Sequence, residues 1–219
     1  MNVLELPAEN FLLTELDAIA DALVTDGYAI IGAALSAALA SALMTEAHTL
    51  EPAVFADAGT GRDQAHQINQ RIRKDRILWL MGKTACVREY LDIMEKLRIG
   101  INQRLFMGLF DYECHYACYE PGAYYRKHLD AFEGRRNRVL STVLYLNPDW
   151  QAGDGGELMM YAPDETNLLQ VVKPVHNTMI MFLSERFPHE VLPTRTNRYS
   201  LTGWYRINTS TGQVVDPAS

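Results

Sequence analysis

The chain has 219 residues, 48% of them apolar and 21% charged, with 14 Gly and 9 Pro. That balance excludes a disordered, collagen-like or low-complexity chain and fits one full-sized domain with a continuous core. Lys+Arg number 20 against 27 Asp+Glu, a formal net charge of −7, and no basic tail or stripe is present, which argues against nucleic acid as a partner.

No apolar run reaches the roughly 18 residues that a membrane helix needs. The first residues, MNVLELPAEN, lack a basic, signal-like start. A cytoplasmic protein with no membrane partner is the expectation. The 3 cysteines, Cys86, Cys114 and Cys118, do not suit a disulfide framework. Cys114 and Cys118 with His115 make a poor metal cluster, because strand spacing sends the cysteines to one face and His115 to the other.

From Thr14 to Val24, Leu16, Ile19, Leu23 and Val24 fall at helical spacing behind a Thr14 cap, with Gly27 as the stop. YAII at Tyr28 to Ile31 reads as a strand, and Ser36 opens an Ala- and Leu-rich helix ending near His48. Periodicity is lost from Glu51 to Gln70, where Gly, Asp and Gln accumulate as in a long functional or mobile loop. RIRKDRILWL follows, as a strand or as the rim of a binding loop. After Gly82, apolar residues such as Val87, Tyr90, Met94, Leu97 and Ile101 recur three or four apart and predict an amphipathic helix from Ala85 to Phe106.

From Asp111 onward helical spacing gives way to short strand-like runs. They are YECHYACY, YYRKHLDAF, RVLSTVLYLN, GELMMYA, LLQVVKP, TMIMFLS, HEVLPT and YSLTGWYRIN. Turn-rich connections such as NPDWQAGDGG and APDETN separate them, so the expected fold is α+β, a β-sandwich or open barrel with the earlier helices packed on one sheet. No linker parts the two halves. Residues 1–219 therefore read as one domain, with 1–106 as mainly helical support and loop region and 111–208 as the barrel.

The run His128-Leu129-Asp130 places a histidine and a carboxylate two apart, on one face of a strand. Among the 6 histidines, His189 in PHEVLP is the best third ligand, since a neighbouring strand can bring it across the barrel. Two histidines and one carboxylate hold one face of an iron ion and leave positions open for reagents. Arg198 opens RYSLTGWYR, whose alternation puts Arg198, Ser200, Thr202 and Trp204 on one face. A core-facing arginine needs an anionic partner, and a polar row of this kind suits a cavity better than a plain core.

Taken together and in order, YEPGAYYRKHLD, VLSTVLYLNPDW, GGEL, FPHEV and RYSLTGWY resemble the prolyl 4-hydroxylase branch of the iron(II) and 2-oxoglutarate dependent dioxygenases. The resemblance covers roughly Ile72 to Asn208 and is nearer to the oxygen-sensing prolyl hydroxylases of animals and their bacterial relatives than to the collagen enzymes. It implies a double-stranded β-helix, or jelly-roll, barrel. It also implies Fe(II), 2-oxoglutarate as co-substrate, dioxygen, and ascorbate in a supporting role. His128, Asp130 and His189 would be the iron ligands. Arg198, helped by Tyr145, would hold the far carboxylate of 2-oxoglutarate, and Tyr119, Tyr125, Thr202 and Trp204 would line the pocket.

The implied reaction is hydroxylation of a peptidyl proline at C4, coupled to oxidative decarboxylation of 2-oxoglutarate to succinate and carbon dioxide. Arg73 and Asp75 match a substrate-covering loop, with Asp75 engaging Arg138, and residues 51–80 would close over substrate. Bacterial relatives modify elongation factor Tu, which makes that protein the expected partner of a monomeric enzyme. The basic residues Arg71, Arg73, Lys74, Arg76, Arg135, Arg136 and Arg138 would steer an acidic partner. Free proline, a small peptide or another protein is the alternative substrate. Demethylation of nucleic acid and a non-catalytic β-barrel binding module are the alternatives of other classes.

Overall fold

The computed structural model describes residues 11–58, 71–131 and 137–208. Residues 59–70 of the expected loop, and Arg135 and Arg136, lie outside the described residues. The first described elements are two helices, α1 (Phe11–Thr14) and α2 (Leu16–Thr25). Thr14 thus ends one helix instead of capping the next, and Glu15 takes the N-cap position without a side-chain hydrogen bond. The reason is tertiary: Leu12 is fully buried and its N–H bonds to the Ala34 carbonyl, which draws the chain into a helical turn early.

Strand β1 (Tyr28–Ile31) and helix α3 (Ala37–Thr49) follow as the sequence predicts. Ser36 caps α3 by accepting from the Leu39 N–H at 3.3 Å. Helix α4 (Ala85–Leu105) buries Val87, Tyr90, Met94, Leu97 and Ile101 along one stripe. It stops at Phe106, in the left-handed region.

The remaining strands are β2 (Ala56–Asp57), β3 (Arg76–Trp79), β4 (Leu109–Tyr119), β5 (Tyr125–His128), β6 (Arg138–Tyr145), β7 (Leu158–Tyr161), β8 (Leu168–Val172), β9 (Met179–Leu183), β10 (His189–Val191) and β11 (Arg198–Ile207). Each strand-like run read from the sequence after Asp111 holds one of them. They form a 7-stranded sheet in the order β1-β9-β6-β11-β4-β3-β2 and a 4-stranded sheet in the order β5-β10-β7-β8. All the strand pairings are antiparallel.

Alternation sorts the side chains of the large sheet into two layers. Cys114, Tyr116, Leu144, Met181, Leu201 and Tyr205 pack against the helices. Val143, Tyr145, Ile180 and Phe182 pack the other way, with Leu158 and Met160 of the small sheet. Two antiparallel sheets around a shared apolar interior, with helices covering the outer face of the larger, make a double-stranded β-helix. Gly203 on β11 is required by its neighbour: a Cβ there would overlap the Tyr112 side chain. That Tyr112 hydroxyl shares hydrogen bonds with Thr142 at 2.8 Å and Tyr90 at 3.0 Å. Among the described residues no helix is long and apolar enough to cross a membrane.

Candidate active site

His128 and His189 are direct partners in the antiparallel pairing of β5 with β10, and their ring centroids are 4.3 Å apart. Each ring is held in the same way. His128 Nδ1 lies 2.7 Å from the Arg126 carbonyl oxygen and His189 Nδ1 lies 3.0 Å from that of Phe187. A carbonyl only accepts, so both rings donate from Nδ1, and Nε2, which carries a lone pair in the neutral ring, is the atom each turns toward Asp130.

Asp130 completes the group, although it sits in a bend just past β5 and not on the strand. Its Oδ1 lies 3.4 Å from His128 Nε2 and 3.7 Å from His189 Nε2. Its Oδ2 accepts from Ser141 Oγ at 2.7 Å, and Ser141 is in turn 2.9 Å from Ser184 Oγ. Burial opposes ionisation of Asp130, but His189, His128 and the Ser141 hydroxyl outweigh it and hold the carboxyl well below its ordinary range. Burial, and then the neighbouring His128, pushes His189 down to about 4. One donor atom from each of the three residues falls within 4.8 Å of the others. An anionic oxygen and two imidazole lone pairs directed at one point fit a divalent transition metal, and two histidines with one carboxylate are the donor set of non-haem iron(II) oxygenases.

Arg198 lies on the inner face of the large sheet, two residues before Ser200, whose register partner is Tyr145, and is 2% exposed. Its Nε donates to the Gly156 carbonyl at 2.9 Å and its Nη1 to Ser200 Oγ at 3.2 Å. Among the described residues its buried Nη2 has no hydrogen-bond partner, and neither has the buried Tyr145 hydroxyl. Among the described residues no carboxylate pairs with Arg198. The guanidinium lies 4.8 Å from the Tyr119 ring centroid and 5.1 Å from that of Tyr145. Burial raises the Tyr145 hydroxyl to about 12 against the pull of the Arg198 charge, so it stays a donor. A desolvated cation with a spare N–H beside a spare O–H is an unfilled socket for a carboxylate, which is what 2-oxoglutarate would bring.

Trp204 is buried, with an unpartnered Nε1, and lies under the Arg138 guanidinium at 3.6 Å. Thr202 pairs in register with His115 and Val143. Tyr125 stacks on His128, centroids 3.5 Å apart, and stays close to Arg73, whose Cζ is 4.4 Å from the Tyr125 centroid. The expected pairing of Asp75 with Arg138 is not formed. Asp75 instead accepts two hydrogen bonds from Arg73, at 2.7 and 2.5 Å, and Arg138 donates to Glu113 at 2.8 Å. Asp75 is 2% exposed, and adjacency on one short segment gives Arg73 the shorter reach.

Sequence reasoning missed Ser141, Ser184 and Glu113. Parity gave a usable signal for two of them: Ser141 shares a face with Val143 and Tyr145, and Glu113 with His115 and Tyr119. A hydroxyl or carboxylate on an inward face of a barrel needs a partner there.

The family description "2OG-Fe(II) oxygenase superfamily" matches residues 114–206, which contain the metal face and the arginine socket. Human prolyl hydroxylase EGLN3 is 29% identical over 143 residues, 62% of this chain and 59% of that protein. Human Egl nine homolog 1 is 30% identical over 151 residues, 65% of this chain and 35% of that protein. The chain thus spans less than two thirds of the length of these curated relatives. A prolyl-4-hydroxylase crystal structure from Pseudomonas putida superposes with TM-score 0.79 at 41% identity, covering 88% of this chain and 99% of that one. A Trichoplax adhaerens prolyl hydroxylase, solved with a hypoxia inducible factor oxygen degradation domain peptide fragment, superposes with TM-score 0.78 at 28% identity, covering 89% of this chain and 90% of that one. The chain belongs to the 2OG-Fe(II) oxygenase superfamily, in its prolyl hydroxylase branch.

Proposed function

We propose that the protein is a prolyl 4-hydroxylase that uses 2-oxoglutarate and dioxygen to hydroxylate a proline within a protein substrate. The observation that carries the reading is the buried Arg198 on the inner face of the large sheet, its Nη2 and the Tyr145 hydroxyl both unpartnered among the described residues, with the His128, Asp130 and His189 group reaching the same interior from β5, the bend after it and β10 of the facing small sheet, where the His189 ring lies 4.8 Å from that of Phe182. Iron(II), with dioxygen and the keto acid, supplies the oxidising power that couples decarboxylation to hydroxylation of a C–H bond.

The chain's own part is to hold, orient and keep dry. Ser141 fixes the Asp130 carboxylate, and the Arg126 and Phe187 carbonyls fix the two imidazoles. Arg198 forms a bidentate contact with the far carboxylate of the co-substrate, with Tyr145 as a further donor, so keto acid length is read by the depth of that socket. Val143, Ile180, Phe182 and Phe187 exclude water from the interior and strengthen each of these charge interactions.

A proline within a protein is favoured by the similarity to a relative solved with a peptide fragment. The particular protein proposed is elongation factor Tu, on the resemblance to bacterial prolyl hydroxylases. The test is incubation of the iron(II) protein with 2-oxoglutarate, oxygen and purified elongation factor Tu. Peptide mass spectrometry should then find one added oxygen on a proline. Succinate release without any modified proline would reject this substrate.

A further inference from the structure

We propose that Arg73, fixed by Asp75, is a positioning residue that sets the plane of the metal ligand His128 through the ring of Tyr125. The inference rests on the reading of His128 as a metal ligand and adds a role that ligand spacing does not reveal.

Four side chains stand in one continuous series. Asp75 grips the Arg73 guanidinium through both carboxylate oxygens. The Arg73 Cζ lies 4.4 Å from the Tyr125 ring centroid. Tyr125 lies against His128, centroids 3.5 Å apart and planes only 14° from parallel. The backbone follows the same line: Arg73 bridges Tyr125, Lys74 N–H donates to the Tyr124 carbonyl at 3.0 Å and Arg126 N–H to that of Ile72 at 2.9 Å.

Residues three apart on a regular strand point to opposite faces, so Tyr125 and His128 should not touch. The pairing of β5 with β10 explains why they do. His189 pairs with His128 and Val191 with Tyr125, so two steps along β10 span three along β5. This extra residue is a bulge, and bulges re-aim side chains near sites. The re-aimed ring covers a face of His128, whose hydrogen bond among the described residues runs from Nδ1 to the Arg126 carbonyl, with Asp130 Oδ1 standing 3.4 Å from Nε2. One hydrogen bond leaves the imidazole free to rock about it, and a parallel aromatic face removes that freedom.

The ion pair fits this role better than it fits a contribution to stability. The side chains of Arg73 and Asp75 are 11% and 0% exposed, and at such burial desolvation offsets most of the attraction between charges. What the pair does supply is a fixed guanidinium over the Tyr125 ring. The segment before β3 is thereby tied to the metal face.

Cobalt(II), bound anaerobically to the metal-free full chain, is the probe, read by its visible absorption and by titration. Tyr125→Phe keeps the stack and should bind cobalt within about twofold of wild type. Tyr125→Leu removes it and should bind about tenfold more weakly, with a displaced absorption band. The double variant Arg73→Met with Asp75→Leu removes both charges together, leaves neither buried alone, and should weaken binding in the same direction with an intact far-ultraviolet spectrum. Should the double variant fail to fold, the contrast of Tyr125→Phe with Tyr125→Leu decides the matter. Identical affinity and spectrum in wild type and Tyr125→Leu would overturn the positioning role and leave the metal reading intact. No cobalt spectrum from wild type would overturn the metal reading beneath it.

Discussion

His128 and His189 occupy one register position of the β5 and β10 pair, and each donates its Nδ1 proton to the carbonyl two residues before it. The two proposed ligands are thus prepared by a repeated local device, one on each strand. The third, Asp130, is off the strand and depends on a side chain from another sheet, Ser141.

That dependence makes Ser141→Ala informative. Ser141 is fully buried, and its loss leaves Asp130 Oδ2 without its donor. Iron(II) affinity is expected to fall by about tenfold, the usual scale for an outer hydrogen bond to a ligand. Stability should fall by about 1 kcal/mol. Anaerobic titration and urea denaturation check the two. Unchanged iron affinity would remove Ser141 from the site.

Arg198 and Tyr145 should separate co-substrate binding from metal binding. Arg198→Ala should weaken 2-oxoglutarate by roughly a hundredfold or more, and Arg198→Lys should fall between, since an ammonium keeps charge without the fork. Tyr145→Phe should cost about tenfold through one lost hydrogen bond to a charged group. In all three, cobalt(II) affinity should stay near wild type. Equal 2-oxoglutarate affinity in wild type and Arg198→Ala, by anaerobic calorimetry, would contradict the socket.

Much of this site is legible from alternation alone. In RYSLTGWYR, period two sends Arg198, Ser200, Thr202 and Trp204 to one face, and β11 has that arrangement, with Leu201 and Tyr205 in the layer under the helices. The same rule separates Cys114 and Cys118 from His115. It fails at β5, where the bulge moves Tyr125 onto His128, because a bulge depends on the partner strand and leaves no mark in the local pattern. It is also silent on pairing between distant segments. YAII reads as a strand, yet its place beside β9 comes from a contact more than half the chain away. The choice of Arg73 over Arg138 as the partner of Asp75 is of the same kind, decided by reach and burial in the folded chain.

Gly203→Ala tests the packing of the large sheet. The new methyl group would meet the Tyr112 ring and hydroxyl and disturb the bonds to Thr142 and Tyr90. A loss of about 1–3 kcal/mol is expected in chemical denaturation. A neutral substitution would mean that Tyr112 is not held as described.

His115 gives an acid-sensitive contribution with a defined sign. Burial, with Arg73 nearby, lowers it from its ordinary 6.5 to about 4. Between those values the unfolded chain binds the proton and the folded one does not, so stability is full above about 6.5 and is lost as pH falls toward 4. The loss is about 3 kcal/mol for one group. Denaturation midpoints from pH 7 to pH 4 should fall less steeply for His115→Phe than for wild type. Parallel curves would exclude this contribution.

The most direct test of the function is a stoichiometric one. The iron(II) protein is mixed with 2-oxoglutarate, oxygen and a proline-containing protein substrate, and succinate and hydroxyproline are measured together. Wild type should form the two in equal amounts, and Arg198→Ala should form neither at the same co-substrate concentration. Succinate with no hydroxyproline from any protein substrate, or hydroxyproline formed without 2-oxoglutarate, would contradict a 2-oxoglutarate dependent prolyl hydroxylase.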